Sequence, residues 1–573
     1  MEPVSSAETK KPTRYCIIDR LKQAEAARRV IEGNRTQQEV AAEYGVSRDA
    51  VQGWVSRSNG LQHCIDPKVA IFYESPEGLV HLRRLLASAC LVFHSTGGCG
   101  LPLLQKFLEL SKLNVFVGSS IGELHRMSAQ MDQKLIEFGK LEKDRLAKDM
   151  SLKEMTAAID ENFMLQNMTL ILMDPDSGFI LTEQQEDKRD AATWMKVSQA
   201  ATSGLNVKIV QVTGDEASGI IKFTIELLGA QKVSDLFHVQ QDITKGLTGS
   251  VLARKVQQTE AALKAASEQK TVQLEKLRAI AQNTGATLDA PTPQIAKVGK
   301  RLLLEDRDEQ KCQQKLVEVQ QDYREAQNAR RAITASYHPY DPSTGDKRSP
   351  EKLKLELEAA HATLEQISKR TDSTDGQKKK LGKAKASIES MVQTLTFFFL
   401  YLQQIMRGLN LDEQLGKEFE LLVSVEYVKM ALKRCPDKNQ RAVIGETLSS
   451  LVSRQRDGPW KNLDPPTQAI WGKKARQCAA MFQRSSSCVE GRNGVLSLKH
   501  HSLHKLNTNK LQALTVLHNF FSSRRDGTTA AERFFDQKPR DVFEWLLDII
   551  DLPVRPRNRV KLWAQKSSGN QAA

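Results

Sequence analysis

Residues 153–163 read KEMTAAIDENF, 168–181 read MTLILMDPDSGFIL, and 207–219 read VKIVQVTGDEASG. The reading of these stretches decides the fold. Met155–Ile159, Met168–Met173 and Val207–Val212 are short apolar runs bounded by polar or turn residues, the pattern of buried strands. Asp174–Gly178 (DPDSG) is turn chemistry, so Phe179–Leu181 returns as the second arm of a hairpin. Asp190–Ser203 has helical spacing and is broken at Asn206. Glu216–Leu228 is a second amphipathic helix, and Lys232–Leu236 a last short strand that runs into FHVQQDITK at 237–245. The order is three strands, helix, strand, helix, strand.

That order predicts an RNase H-like mixed sheet flanked by helices, with the first and fourth strands side by side. Asp160 ends the first strand and Asp215 the fourth, so their carboxylates are expected to converge. A third carboxylate must come from a helix far downstream. Glu490 in SSSCVEGRNG at 485–494 fits, with Ser485–Ser487 as a helix start and Asn493 and Leu496 on neighbouring helical faces. Three carboxylates suit phosphoryl transfer with two magnesium (or manganese) ions about 3.5–4 Å apart. A lone aspartate at a strand end is ordinarily a cap or turn residue, so the expectation rests on the set. Asp174 rivals Asp160 for the first position, but it opens a turn where an aspartate is expected anyway.

Upstream, residues 19–56 carry a second pattern. Asp19–Glu32 reads as an amphipathic helix through Leu21, Ala24, Ala27 and Val30, stopped at Gly33. Thr36 with Glu39 forms a capping box, Gly45 takes a tight turn, and Ser47 caps a third helix with Val51 and Trp54 facing inward. Small residues at the helix contact and a glycine in the turn are the helix-turn-helix constraint. Ser47, Arg48, Asp49 and Gln52 would then face DNA. Leu101–Leu113 and Ser120–Phe138 form a further helical pair, read equally as a second DNA-binding element or a connector.

Lys and Arg number 83 against 69 Asp and Glu, for a net charge of +14 and a pI near 9.2. A basic surplus suggests a polyanionic partner. The scattered cysteines form no C-x-x-C pair and no disulfide framework. No signal core is present, and the longest apolar run, Phe397–Leu402, is too short to span a bilayer. The expectation is an intracellular protein without membrane contact.

At these residues the sequence resembles DDE-type transposases of bacterial insertion sequences. IDENF at 159–163 looks like the first-aspartate motif and VTGDEASG at 212–219 like the second. SDLFHVQQDI at 234–243 is similar to the stretch that follows it, and SSSCVEGRNG to the third-acid helix. DGTTAAERFF at 526–535 and KPRDVFEWLLD at 538–548 resemble an uncharacterised transposase-like subfamily. The resemblance implies Asp160, Asp215 and Glu490 as catalytic, metal-binding residues. Glu161, Asp235, His238 and Asn493 would orient metal, water or DNA, although His238 reads equally as a core histidine. It also implies double-stranded DNA as partner, a homodimer on DNA, and a bacterial cytoplasmic, nucleoid-associated location.

From Thr244 to Met481 the chain is helix-forming throughout. Val256–Ala281 and Gln310–Ala335 read as an antiparallel pair joined across 289–294, and Ser387–Leu411 as a buried helix. LKHHSLHKLNTNKLQAL at 498–514 reads as a phosphate-facing basic surface, with Arg492 and Lys499 on DNA; metal binding by His500, His501 and His504 is the lesser alternative. The expected organisation is α+β, mostly helical and multidomain. It comprises a helix-turn-helix at 1–60, a connector at 61–150, the catalytic core at 151–245, and a helical or coiled-coil insertion at 246–481. The core is completed at 482–550, and a basic tail follows at 551–573. The expected function is metal-dependent DNA cleavage and strand transfer at transposon ends. The alternative is a DNA-binding regulator or domesticated copy whose nuclease core is inactive.

Overall fold

The computed structural model describes residues 18, 20–62, 67–164, 167–284, 292–503 and 506–554. Asp19, His504, residues 289–291 of the expected helix break and the basic tail beyond Val554 lie outside them, as do the side chains of Leu21 and Ala24. The protein is mostly helical with one mixed sheet, an α+β class. It divides into two compact units, Met1–Asp149 with Gly494–Ala573, and Met150–Asn493. The stretch expected to complete the core at 482–550 is thus split at Asn493.

The first unit begins with α1 (Arg20–Ile31), α2 (Gln37–Tyr44) and α3 (Arg48–Gln62). Thr36 accepts from the Glu39 amide while Glu39 accepts from the Thr36 amide, so the capping box is complete. Gly45 ends α2 at φ 63°, a left-handed conformation that a side chain disfavours. Ala26, Ala27, Val40, Ala41, Val51, Trp54 and Val55 pack into one small core. Further on, Ser120 caps Ile121–Ala147. The buried Glu142 carboxylate on that helix is shared by Arg145 and Arg540.

The second unit is built on a five-stranded sheet in the order β3-β2-β1-β4-β5. Its strands are β1 (Lys153–Met164), β2 (Asn167–Met173), β3 (Ile180–Glu186), β4 (Val207–Gly214) and β5 (Gln231–Ser234). β1 runs antiparallel to β2 and parallel to β4, as the order of runs anticipates. The first strand does not end at Asp160. β1 continues to Met164 paired with β2, whereas its pairing with β4 stops at Ala158 and Thr213. β3 is also longer than Phe179–Leu181. The helix expected over 216–228 is the short turn Ser218–Lys222 followed by a wider one, Phe223–Leu227.

Side chains alternate across β1. Thr156 donates to Gln211 on β4 (2.9 Å) and to the Met481 carbonyl (3.1 Å), so its face meets the helix Pro465–Met481. Glu161, of opposite parity, meets the other face, where Ala191–Thr202 packs. The rest of the unit is helical. Ala253–Thr284 and Pro293–Ser336 lie along one another, registered by Lys270 against Asp306 (2.6 Å) and Glu309 (2.7 Å). Phe398, from the apolar run of 397–402, is fully buried against Tyr340 and Phe482. Among the described residues no helix is long and apolar enough to cross a membrane.

Candidate active site

Asp160 sits on β1 two residues past the last pair shared with β4, where the neighbouring strand leaves and the backbone opens. Its Oδ1 accepts the Glu161 amide (2.8 Å) and its Oδ2 accepts Asn493 Nδ2 (2.6 Å). Asn493 in turn accepts from Asn162 (2.8 Å). Asn493 lies one helical turn after Glu490 on the helix Ser487–Leu503. The fold therefore brings the downstream acid helix onto the strand that carries Asp160.

Burial pushes the Asp160 carboxyl up to about 6, and the Glu490 charge adds to the rise. His238, the Glu161 amide and Asn493 pull the other way. Asp160, Glu490 and His238 thus share one electrostatic neighbourhood. Among the described residues no lysine or arginine pairs with Asp160, although the Glu490 charge bears on it. That donor set fits a divalent cation, which would relieve the mutual repulsion. Asp160 and Glu490 would hold it. Among the described residues, no three Asp, Glu, His or Cys side chains stand in ligating arrangement.

Asp215 occupies the corresponding place on the next strand. One step past Ala158 and Thr213 come Ile159 and Gly214. A Cβ on Gly214 would lie 2.7 Å from the Ile159 carbonyl, so only glycine lets the strands stay this close. The next step is Asp160 and Asp215. Asp215 is nevertheless exposed, and its carboxylate folds back on the Glu216 amide (2.6 Å). Its charge bears on Arg189 and Lys232. The buried Lys232 ammonium holds the Gly214 carbonyl (2.9 Å) and so pins the end of β4.

Asp235 caps the helix Leu236–Ile243 by accepting the Phe237 amide (2.7 Å). Its other oxygen accepts both the Ser486 amide (3.1 Å) and the Ser486 hydroxyl. One buried carboxylate thereby ties the helix of His238 to the segment that starts the helix of Glu490. His238 Nε2 is buried with no hydrogen-bond partner, 3.8 Å from Asp235 Oδ2 and 3.9 Å from Glu490 Oε1. An unmet buried polar nitrogen costs about 1–3 kcal/mol.

Several expectations are corrected. Glu161 does not orient the Asp160 side: strand alternation sends it to the other face, where it pairs with Arg189 (2.8 Å) and meets Trp194 Nε1 (3.4 Å). Arg492 does not face DNA: it is buried in a two-pronged pair with Glu183 of β3 (2.6 and 2.7 Å). Lys499 is buried too and donates to the carbonyls of Ser95 (2.9 Å) and Thr96. Lys510 is buried on Asp132 (2.9 Å), so two of the three lysines of 498–514 are engaged by the protein itself; Lys505 lies outside the described residues. Asp174 opens its turn as expected, accepting Ser177 Oγ (2.6 Å) and lying 3.2 Å from Lys153 Nζ. Ser47, Arg48, Asp49 and Gln52 are all exposed around the start of α3. The Asp235–Ser486 tie escaped sequence reading. Asp235 was singled out as an orienting residue and Ser486 as part of a helix start, but nothing in the sequence paired the two across 251 residues.

The chain is similar, over residues 419–562, to a family of unknown function (DUF6399). The matched stretch contains Glu490 and Asn493, and Asp160, Asp215, Asp235 and His238 lie outside it. No curated protein matches the chain.

Proposed function

We propose that this protein is a metal-dependent DNA-processing enzyme of the transposase kind, with an RNase H-like core and an N-terminal helix-turn-helix reader. The observation that carries the reading is the bond from Asn493 to Asp160, which joins positions 333 residues apart and brings the helix that carries Glu490 onto the strand of Asp160. The strand order and the parallel β1–β4 pair supporting it are those an RNase H-like core requires. The capped helices α1–α3, with the glycine turn at Gly45, support the reader.

In this reading α3 enters the major groove and presents Arg48, Asp49 and Gln52 to base edges. Asp160, Glu490 and Asp215 would hold Mg²⁺ or Mn²⁺ at the scissile phosphate. The bound ions would activate the attacking hydroxyl and stabilise the leaving oxygen. Asn493 and the Glu161 amide keep the Asp160 carboxylate oriented. Asp235 fixes the helices of His238 and Glu490 relative to one another.

The outward Asp215 favours a second reading, in which the same chain binds DNA with an inactive core. The two separate in one assay. Purified protein is incubated with Mg²⁺ or Mn²⁺ and duplexes carrying the DNA that flanks its gene. Cleavage by wild type, lost in Asp215→Ala and Glu490→Gln, supports the enzyme. Specific binding without cleavage supports the regulator.

A further inference from the structure

His238 carries a buried imidazole nitrogen at the edge of the carboxylate cluster, and among the described residues that nitrogen has no hydrogen-bond partner. Its distances to Asp235 Oδ2 and Glu490 Oε1, 3.8 and 3.9 Å, are too long for hydrogen bonds. The two oxygens differ in availability. Asp235 Oδ2 is already engaged by both donors of Ser486. Among the described residues nothing donates a hydrogen bond to the Glu490 carboxylate, whose side chain is one-third exposed and free to adjust.

A gap near 3.9 Å between a nitrogen and an oxygen is what one bound dication spans. Metal–nitrogen and metal–oxygen bonds of about 2.0–2.2 Å leave two ligands on opposite sides roughly 4 Å apart. Asp160 lies close enough to feel the charge of both partners. Asp235 can neither turn nor leave without uncapping the helix Leu236–Ile243 and releasing Ser486, so it holds the His238 backbone in place.

We propose that His238 Nε2 is a direct metal ligand, joining Glu490 in a divalent-cation site that takes a first-row transition ion such as Mn²⁺ in preference to Mg²⁺. Imidazole nitrogen suits transition dications, whereas Mg²⁺ prefers oxygen alone. The site rests on reading Glu490 as a cation ligand, but it does not require Asp215.

The test uses the full chain without DNA. Calorimetric titrations with Mn²⁺ and with Mg²⁺ are compared for wild type, His238→Gln and Glu490→Gln. Wild type should bind Mn²⁺ at least tenfold more tightly than Mg²⁺. His238→Gln should lose that preference through weaker Mn²⁺ binding, and Glu490→Gln should weaken both ions. Pulsed electron paramagnetic resonance of Mn²⁺ on wild type needs no variant and should show coupling to an imidazole ¹⁴N. A wild type that binds Mn²⁺ with no ¹⁴N coupling, or a folded His238→Gln with unchanged preference, overturns the inference alone. A wild type that binds no divalent ion overturns it together with the catalytic reading.

Discussion

Ser486 gives both its backbone N–H and its hydroxyl to one oxygen of Asp235, while the other oxygen of Asp235 caps the helix of His238. The bond closes a loop of 251 residues through a single buried carboxylate. The helical insertion between these residues is therefore bracketed by a fixed junction. Asp235→Ala leaves two amides and a hydroxyl unmet in a buried place. Loss of charge-assisted bonds and a cap at about 1.5–3 kcal/mol each, partly recovered by water, predicts a destabilisation of about 3 kcal/mol in urea unfolding. Ser486→Ala should cost about 1 kcal/mol. An Asp235→Ala variant as stable as wild type would show that the junction is not what holds the acid helix.

Asp160 should make stability depend on pH. Its carboxyl is held at about 6 in the folded state against 3.8 ordinarily. Below pH 4 both states carry the proton and nothing is lost. Between 4 and 6 the unfolded chain has released it while the folded chain keeps it, so folding grows less favourable as pH rises. Above 6 the full penalty applies. The penalty is at most roughly 3 kcal/mol. Asp160→Asn removes it but accepts one fewer hydrogen bond, for a net gain of about 1–2 kcal/mol at pH 8. From pH 4 to pH 8 the variant should start below wild type in melting temperature by the lost bond, cross it near pH 5, and keep a constant lead above pH 6.

The Arg492–Glu183 pair is structural. Arg492→Ala should cost about 3–5 kcal/mol by breaking a buried charge pair. Replacing both with apolar residues, Arg492→Met with Glu183→Leu, should restore most of that loss. If Arg492→Ala folded with wild-type stability and lost DNA affinity instead, the side chain would be a DNA contact after all.

In the proposed reader, Arg48→Ala with Gln52→Ala touches only exposed positions at the start of α3. The double variant should keep its melting temperature and lose about 1–3 kcal/mol of sequence discrimination per contact. Fluorescence anisotropy with a duplex selected from a random pool, against a scrambled one, reads the difference. Unchanged discrimination would remove α3 from the recognition surface.

The strands at 155–159, 168–173 and 207–212 were legible because each is a short apolar run closed by turn chemistry. The α2 cap and the Gly45 turn were legible because capping is local. The extension of β1 to Met164 was not: Glu161 and Asn162 look like loop residues, and only the antiparallel partner β2 keeps them in a strand. Arg492 and Lys499 misled for a related reason. A cation in a polar stretch reads as exposed until its partners, Glu183 and the carbonyls of Ser95 and Thr96, arrive from hundreds of residues away. Strand order led to the expectation that Asp160 and Asp215 converge, and the downstream segment 485–494 to the expectation of an acid helix, whose Asn493 reaches Asp160. The outward turn of Asp215 was not legible, because it depends on how β4 ends at Gly214 under Lys232.

The most direct measurement is the anomalous scattering of Mn²⁺ in crystals of the full-length protein grown with the ion. A peak within bonding distance of the Asp160 and Glu490 carboxylates is the expected result. A fully loaded crystal whose manganese lies elsewhere, leaving both carboxylates bound only to protein and water, would contradict it.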